Sequence, residues 1–284
     1  MSYKASLGLL LLSFSLLAQE IRVPIKKNRA EKSKFLEVKE GEEIQIFNST
    51  ASKEALVSKK EISLISWNVF KGVKKELFTS YPDLAKNYDF ILLQEAYTIP
   101  EMLKMFEATP YHYVLAGSFV YRPLMVTTGV ATGSRFQSIK NIPLRSKYKE
   151  PIVDAAQMCL STEYKLAGRE DTLLVVNVHA INFVISDRLF HQLDQLKDHI
   201  KQHKGPVIFA GDFNVWDEKK TKYLKRITKE LNLKEISFKE DYRKRFRNHP
   251  LDYVFYRGLK VQTAKVLDLK SLSDHNPIEV NFSL

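Results

Sequence analysis

Short apolar runs that stop on a metal- or phosphate-binding side chain constrain this sequence most. Residues 62–67 end at Asn68, 90–93 at Gln94 and Glu95, 173–178 at His179, and 207–210 at Gly211-Asp212-Phe213-Asn214. Two more runs begin on such a residue: Asp252 opens 252–256, and Asp274 with His275 precedes 277–282. Runs this short and this rich in Val, Ile and Phe read as buried strands. Strands that end on a functional residue and strands that begin on one share a sheet rim only if they run in opposite directions. The pattern therefore predicts sheets with antiparallel pairs and one rim crowded with Asn, Glu, His and Asp.

Helix candidates alternate with these strands. They are 74–86, 100–108 (opened by Pro100), 186–203 and the very basic 219–231. The third is the clearest, with Leu189, Leu193, Leu196 and Ile200 at helical spacing, Asp187 near its start and Lys204-Gly205 closing it. Residues 61–284 read as one catalytic body. Residues 19–60, rich in Lys and Glu, read as a linker or peripheral segment, with Phe35-Leu36-Glu37-Val38 and Glu43-Ile44-Gln45-Ile46-Phe47 a candidate small hairpin.

The first 18 residues stand apart. Lys4 is their only charge, residues 7–18 are nearly all apolar, and Gln19-Glu20 restores polarity. That layout is expected of a secretory signal cleaved after Ala18; the apolar run is short against the roughly 20 residues needed to span a bilayer. The expectation is export to the periplasm or medium. Cys159 is the only cysteine, so no intrachain disulfide can form and stability must come from the core. A net charge of +11 suits an anionic partner: nucleic acid, an anionic lipid surface or a phosphorylated small molecule.

Each motif alone has a plain structural reading. Gly-Asp-Phe-Asn suits a turn, Glu95 a solvated strand end and His179 a satisfied core histidine. Ser273-Asp274-His275-Asn276-Pro277 is more specific. Taken in order, Ser66-Trp67-Asn68, Leu93-Gln94-Glu95, Val176-Asn177-Val178-His179, Gly211-Asp212-Phe213-Asn214, Leu251-Asp252-Tyr253 and Ser273-Asp274-His275-Asn276-Pro277-Ile278 resemble the motifs of the endonuclease/exonuclease/phosphatase (DNase I-like) superfamily over roughly 62–284. Residues 178–183, 210–216 and 250–259 look like its YafD-like bacterial branch.

The resemblance implies an α+β fold, a four-layer α/β/β/α sandwich of two mixed sheets. It also implies metal-assisted phosphoester hydrolysis with one Mg²⁺ (or Mn²⁺), because a divalent cation must neutralise charge moving onto the leaving oxygen. By resemblance, Glu95 is the main ligand with Asn68 and Asp274 beside it, and Asp212 and Asn214 handle the attacking water. Asp252 and His275 look like an Asp–His dyad, and His179 like a second phosphate-facing histidine. The sequence leaves both Asp212 and the His275 pair open as the base.

One departure stands out. The branch with apurinic-endonuclease activity carries an acidic residue two places after the Asn, where this chain has Phe70 followed by Lys71. That weighs against abasic DNA as substrate and against a second tightly held metal. His199 and His203, four apart on a helix, have a zinc-compatible spacing but lie in a Lys/Asp-rich stretch. Arg243, Arg245 and Arg247, in the basic run before Asp252, are candidate phosphate contacts. The expected function is a phosphodiesterase acting on nucleic acid, as a monomer with no protein partner implied. The alternatives are a phospholipid, sphingomyelin or inositol-phosphate esterase, and a non-catalytic binding module on the same fold; residues 119–125 are the one candidate for a membrane-docking tip.

Overall fold

A computed structural model describes residues 34–48 and 61–284. The expected signal at 1–18 lies outside the described residues, as do 19–33 and 49–60. Among the described residues the strands form two large sheets and one two-stranded ribbon. The first sheet holds β1 (Phe35–Glu37), β2 (Ile44–Phe47), β3 (Glu61–Asn68), β4 (Phe90–Tyr97), β5 (His112–Tyr121), β6 (Val126–Ser134), β15 (Lys260–Val266) and β16 (Ile278–Ser283), in the order β1-β5-β6-β4-β3-β16-β15 with β2 also on β5. The second runs β11 (Lys234–Glu235), β14 (Asp252–Arg257), β10 (Val207–Asp212), β9 (Thr172–His179), β8 (Ala155–Lys165), β7 (Lys140–Glu150). The ribbon pairs β12 (Arg245–Phe246) with β13 (His249–Pro250). Both large sheets are mixed: β3 is parallel to β4 and β9 to β10, while the other neighbours are antiparallel.

Alternation of side chains along each strand builds the layers. Ile62 and Leu64 of β3, Phe90 and Leu92 of β4, Leu173 and Val175 of β9, Ile208 and Ala210 of β10, and Val254 of β14 meet in one core between the sheets. The opposite face of the first sheet, with Ile65, Trp67, Ile91 and Leu93, packs on α1 (Glu76–Ala85) and α2 (Pro100–Glu107) through Leu77, Tyr81, Met102 and Phe106. The opposite face of the second sheet packs on α3 (Ser186–Gln202) and α4 (Glu218–Glu230) through Leu189, Leu193, Leu196, Ile200, Leu224 and Ile227. This is the expected α/β/β/α sandwich, and all four helices fall within three residues of their sequence-read limits at either end.

The small hairpin does not form. β1 and β2 lie in tandem along one edge of β5, on Phe119–Tyr121 and Tyr113–Ala116 respectively, and not against each other. The edge of β5 offers unpaired backbone groups to both segments, and a bulge between Gly117 and Phe119 separates their two pairing sites.

Candidate active site

Period two decides which strand-end residues face inward. Asn68 continues the inner row of Ile62 and Leu64, His179 that of Leu173 and Val175, Asp212 that of Ile208 and Ala210, and Asp252 that of Val254. The register then aligns them: Asp212 lies opposite Asp252 across one strand boundary and opposite His179 across the other. Gly211 is required here. Its φ is 138°, and a Cβ would stand 2.1 Å from the Val178 carbonyl oxygen, so only glycine lets β10 approach β9 this closely.

Glu95 breaks the alternation. Strict period two would send it with Leu93 to the helix side. A register shift between Leu93 and Ala96, with Glu95 at φ 54°, re-aims it to the rim, where Asn68 Nδ2 donates to its Oε1 at 3.2 Å. The same amide group donates to Asp212 Oδ2 at 3.1 Å, and Asn68 Oδ1 accepts from the Phe70 N–H at 3.0 Å. The other oxygen of Glu95, Oε2, is in contact with the Lys71 ammonium. Burial alone would raise the Glu95 carboxyl, but Lys71 and His179 bring it down to about 2. His179 Nε2 lies 3.9 Å from Glu95 Oε1; burial outweighs that carboxylate and lowers the imidazole to about 4, so His179 is neutral at pH 7.

The loop 273–276 delivers the last two residues. Ser273 Oγ donates to the Asn68 carbonyl at 2.6 Å, Trp67 Nε1 donates to the His275 carbonyl at 2.8 Å, and Asn276 bonds Leu269 and Tyr242 backbone atoms. His275 Nδ1 thereby meets Asp252 Oδ2 at 2.8 Å, and its Nε2 faces Asp212 Oδ2 at 3.9 Å. Burial opposes the charge on this imidazole, yet Asp252 and then Asp212 raise it to about 10. Burial and the Asp252 charge together push Asp212 up to about 7. Asn214, at φ 51°, donates its amide group to the Ala180 carbonyl at 2.9 Å, and its backbone N–H donates to Asp212 Oδ1 at 3.0 Å. One rim thus gathers Asn68, Glu95, His179, Asp212, Asn214, Asp252, Asp274 and His275.

Residues 65–275 match the model of the Endonuclease/Exonuclease/phosphatase family. The chain is also 36% identical over 231 residues to a UPF0294 protein of Erwinia tasmaniensis, covering 81% of this chain and 84% of that protein. It belongs to the endonuclease/exonuclease/phosphatase family. The fold agrees with solved structures of the family's type. A Leptotrichia buccalis family protein superposes with a TM-score of 0.61 at 19% identity, covering 77% of this chain and 98% of that one. The human Nocturnin catalytic domain, solved with a bound sulfate, gives 0.60 at 18% identity, covering 84% and 97%. Membership makes the chain a hydrolase of phosphoric ester bonds.

Members of this endonuclease/exonuclease/phosphatase family typically depend on a divalent metal, and two donor sets at the rim invite comparison. Asp212, Asp252 and His275 each offer an atom within 4.8 Å of the others. Asp252 and Asp212 hold His275 toward its charged form, however, and an imidazolium has no lone pair to offer an ion. Glu95 and Asp274 fit a hard cation better. Asp274 Oδ2 meets Lys244 Nζ at 3.3 Å, while its Oδ1 is buried without a hydrogen-bond partner. The orphaned Asp274 oxygen and the ionised Glu95 carboxylate are oxygen donors of the kind Mg²⁺ and Mn²⁺ prefer, and Asn68 would add its oxygen on turning its amide, whose NH₂ group faces Glu95 here.

The basic run 243–247 divides. Arg243 is buried as a brace: its side chain is 8% exposed, its Nε and Nη2 donate to both Asp241 oxygens at 2.8 Å, and its Nη1 donates to the Asp252 carbonyl at 3.0 Å. A buried guanidinium so committed positions the start of β14. Arg245, 42% exposed, bonds Asp241 Oδ2 at 2.6 Å. Arg247 and Asn248, at φ 48° and 67°, make the tight turn between β12 and β13, and the Arg247 guanidinium lies over Trp216 at 5.1 Å. His199 and His203 bond Ser161 Oγ and the Thr172 carbonyl on the neighbouring sheet, which accounts for both without a metal.

Sequence reasoning passes over three groups. Gln94 Nε2 donates to Asn177 Oδ1 at 2.8 Å, an amide bridge joining the two sheets beneath the rim; both residues sit at inner-row positions of their motifs, which is the available signal. Glu150, at the end of β7, accepts the Asn182 N–H at 2.5 Å and is raised by burial to about 7. Lys71 enters the sequence pattern only as a missing acid.

Proposed function

We propose that this chain is an exported, Mg²⁺-dependent phosphodiesterase acting on nucleic acid, with a single cation held by Glu95, Asn68 and Asp274. The observation that carries the reaction is the buried Asp212 carboxylate, raised by burial and by Asp252, facing His275 Nε2 across 3.9 Å. Asp212 takes the proton of the attacking water, because a base with a pKa near the working pH combines availability with driving force. His275, locked in its charged form by Asp252, donates from Nε2 to a phosphoryl oxygen, and neutral His179 donates to another. When bound, the divalent cation supplies neutralisation of charge developing on the leaving oxygen. Asn214 holds the Asp212 loop and keeps that carboxylate aimed.

Nucleic acid is favoured by the surroundings of the rim. The loops that follow His179 and Asn214 line a cavity of about 520 Å³ with Phe183 and Trp216, together with Lys219 and Lys220 paired to Asp187 and Asp217. An aromatic-lined cavity next to the rim suits a nucleobase. The +11 charge supports a polyanion over a small neutral-headed ester. Incubation of the purified protein with Mg²⁺ or Mn²⁺ and plasmid DNA, RNA, sphingomyelin or inositol phosphates tests the proposal. Cleavage of DNA or RNA is expected; hydrolysis of lipid or inositol phosphate alone would overturn the nucleic-acid assignment.

One observation favours a phospholipid instead. β6 begins, antiparallel to β4, at the end where Tyr97 and Glu95 lie, so the β5–β6 turn stands on the active rim. Its tip exposes Leu124 (46%) and Met125 (74%). Replacing both with Ser would abolish hydrolysis of vesicle-bound substrate under the lipid reading and leave DNA cleavage unchanged under ours.

A further inference from the structure

Lys71 occupies the position at which the metal-site carboxylate needs a cation. Asn68 ends β3, and the backbone then turns through left-handed φ at Phe70 (49°) and Lys71 (59°) into a short 3₁₀ turn at Phe70–Gly72. Two successive non-glycine residues in this region cost strain, and the surrounding structure must hold them there. The product of that turn is a lysine folded back over the rim. Its side chain is only 14% exposed, its ammonium contacts Glu95 Oε2, and the Asp274 carboxylate also acts on it electrostatically. Glu95 is itself 19% exposed and reaches this contact only through its bulge. Two local backbone irregularities, one following β3 and one within β4, therefore converge to make one ion pair.

The pair has a consequence for metal binding. A buried carboxylate without a counter-charge is strongly unfavourable. The Lys71 ammonium supplies that charge from within the chain. A divalent ion bound to Glu95 would place a second cation against the first, and two cations at contact with one carboxylate repel each other in a poorly screened site. We infer that Lys71 is a tethered counter-cation, which neutralises Glu95 in the metal-free protein and must leave it when a divalent ion binds. The inference rests on Glu95 as a metal ligand. It adds that this chain weakens its own metal affinity, and that Lys71 changes partners on loading. A purely structural lysine would do neither.

Mn²⁺ titrated alone into purified protein, followed by calorimetry or by the signal of free Mn²⁺, separates the two roles. Lys71→Met should bind Mn²⁺ roughly tenfold more tightly or better, the scale of coupling between close charge pairs. It should also melt at lower temperature without metal and gain more from Mn²⁺ than the wild type does. Unchanged or weaker affinity in Lys71→Met overturns the inference. Glu95→Gln is the control for the site: if it binds Mn²⁺ as the wild type does, the ligand assignment is at fault. Should Lys71→Met not fold, amine labelling of the wild type, read by peptide mass spectrometry, decides. Lys71 should label faster in saturating Mg²⁺ than in chelator, and equal or slower labelling overturns the proposal.

Discussion

Replacing Asp252 with Asn tests the chemistry of the rim most directly. In the wild type, the Asp252 charge at 2.8 Å outweighs burial and holds His275 at about 10. At pH 7.5 such an imidazole is more than about 99% charged, whereas one returned to the ordinary 6.5 is roughly 10% charged. Burial, no longer opposed, lowers it further. Population alone then costs about tenfold in rate. With lost orientation, the total falls in the range of about 10²–10⁴ typical of a positioned proton-handling group. The same substitution removes the Asp252 charge that helps raise Asp212, so the ascending limb of the pH profile moves to lower pH along with the descending one. The assay is kcat/KM for a chromogenic phosphodiester from pH 5 to 10, with the His275 imidazole followed by NMR. Stability provides a second reading, taken in chelator. A raised histidine contributes stability in full below its unfolded value of about 6.5 and loses it as pH rises through about 10, so the gap between wild type and variant narrows across that window. A variant with an unmoved pH optimum, or with His275 still charged at pH 8, would refute the dyad.

Three further outcomes follow from the geometry. Glu95→Gln keeps the shape but loses the charge a hard cation needs, so activity should collapse at low Mg²⁺ and recover in part at high Mg²⁺; a loss that no Mg²⁺ concentration changes assigns Glu95 another role. Arg245→Ala with Arg247→Ala should weaken DNA or RNA binding and flatten its salt dependence by about one unit of slope for each phosphate left unneutralised, while hydrolysis of the small chromogenic diester stays near wild type. An unchanged slope points to the lipid alternative. Gly211→Ala forces a Cβ to within 2.1 Å of the Val178 carbonyl, and should lower stability by about 2 kcal/mol or more in denaturant melts; a neutral effect would mean that β9 and β10 can separate freely.

Much of this protein is legible in its residues because a strand has a period of two and a helix a period near 3.6. Those periods place Asn68, His179, Asp212 and Asp252 on inner faces, and the mixture of strands ending and beginning on such residues requires antiparallel neighbours. Leu189, Leu193, Leu196 and Ile200 likewise fix the face of α3 that meets the second sheet. Other features depend on where the chain departs from its periods. By alternation Glu95 belongs with Leu93 under the helices; the bulge at φ 54° brings it to the rim. Lys71 reaches Glu95 through a left-handed turn that its side chain does not favour and only the packed surroundings impose. Arg243 looks like its neighbours in the basic run until Asp241 and the Asp252 carbonyl enclose it. Local sequence determines periodic conformation, since sterics and side-chain direction act between near neighbours. Bulges, strained turns and charge partners are decided by contacts between segments far apart in the chain, which exist only once the two sheets have closed on each other.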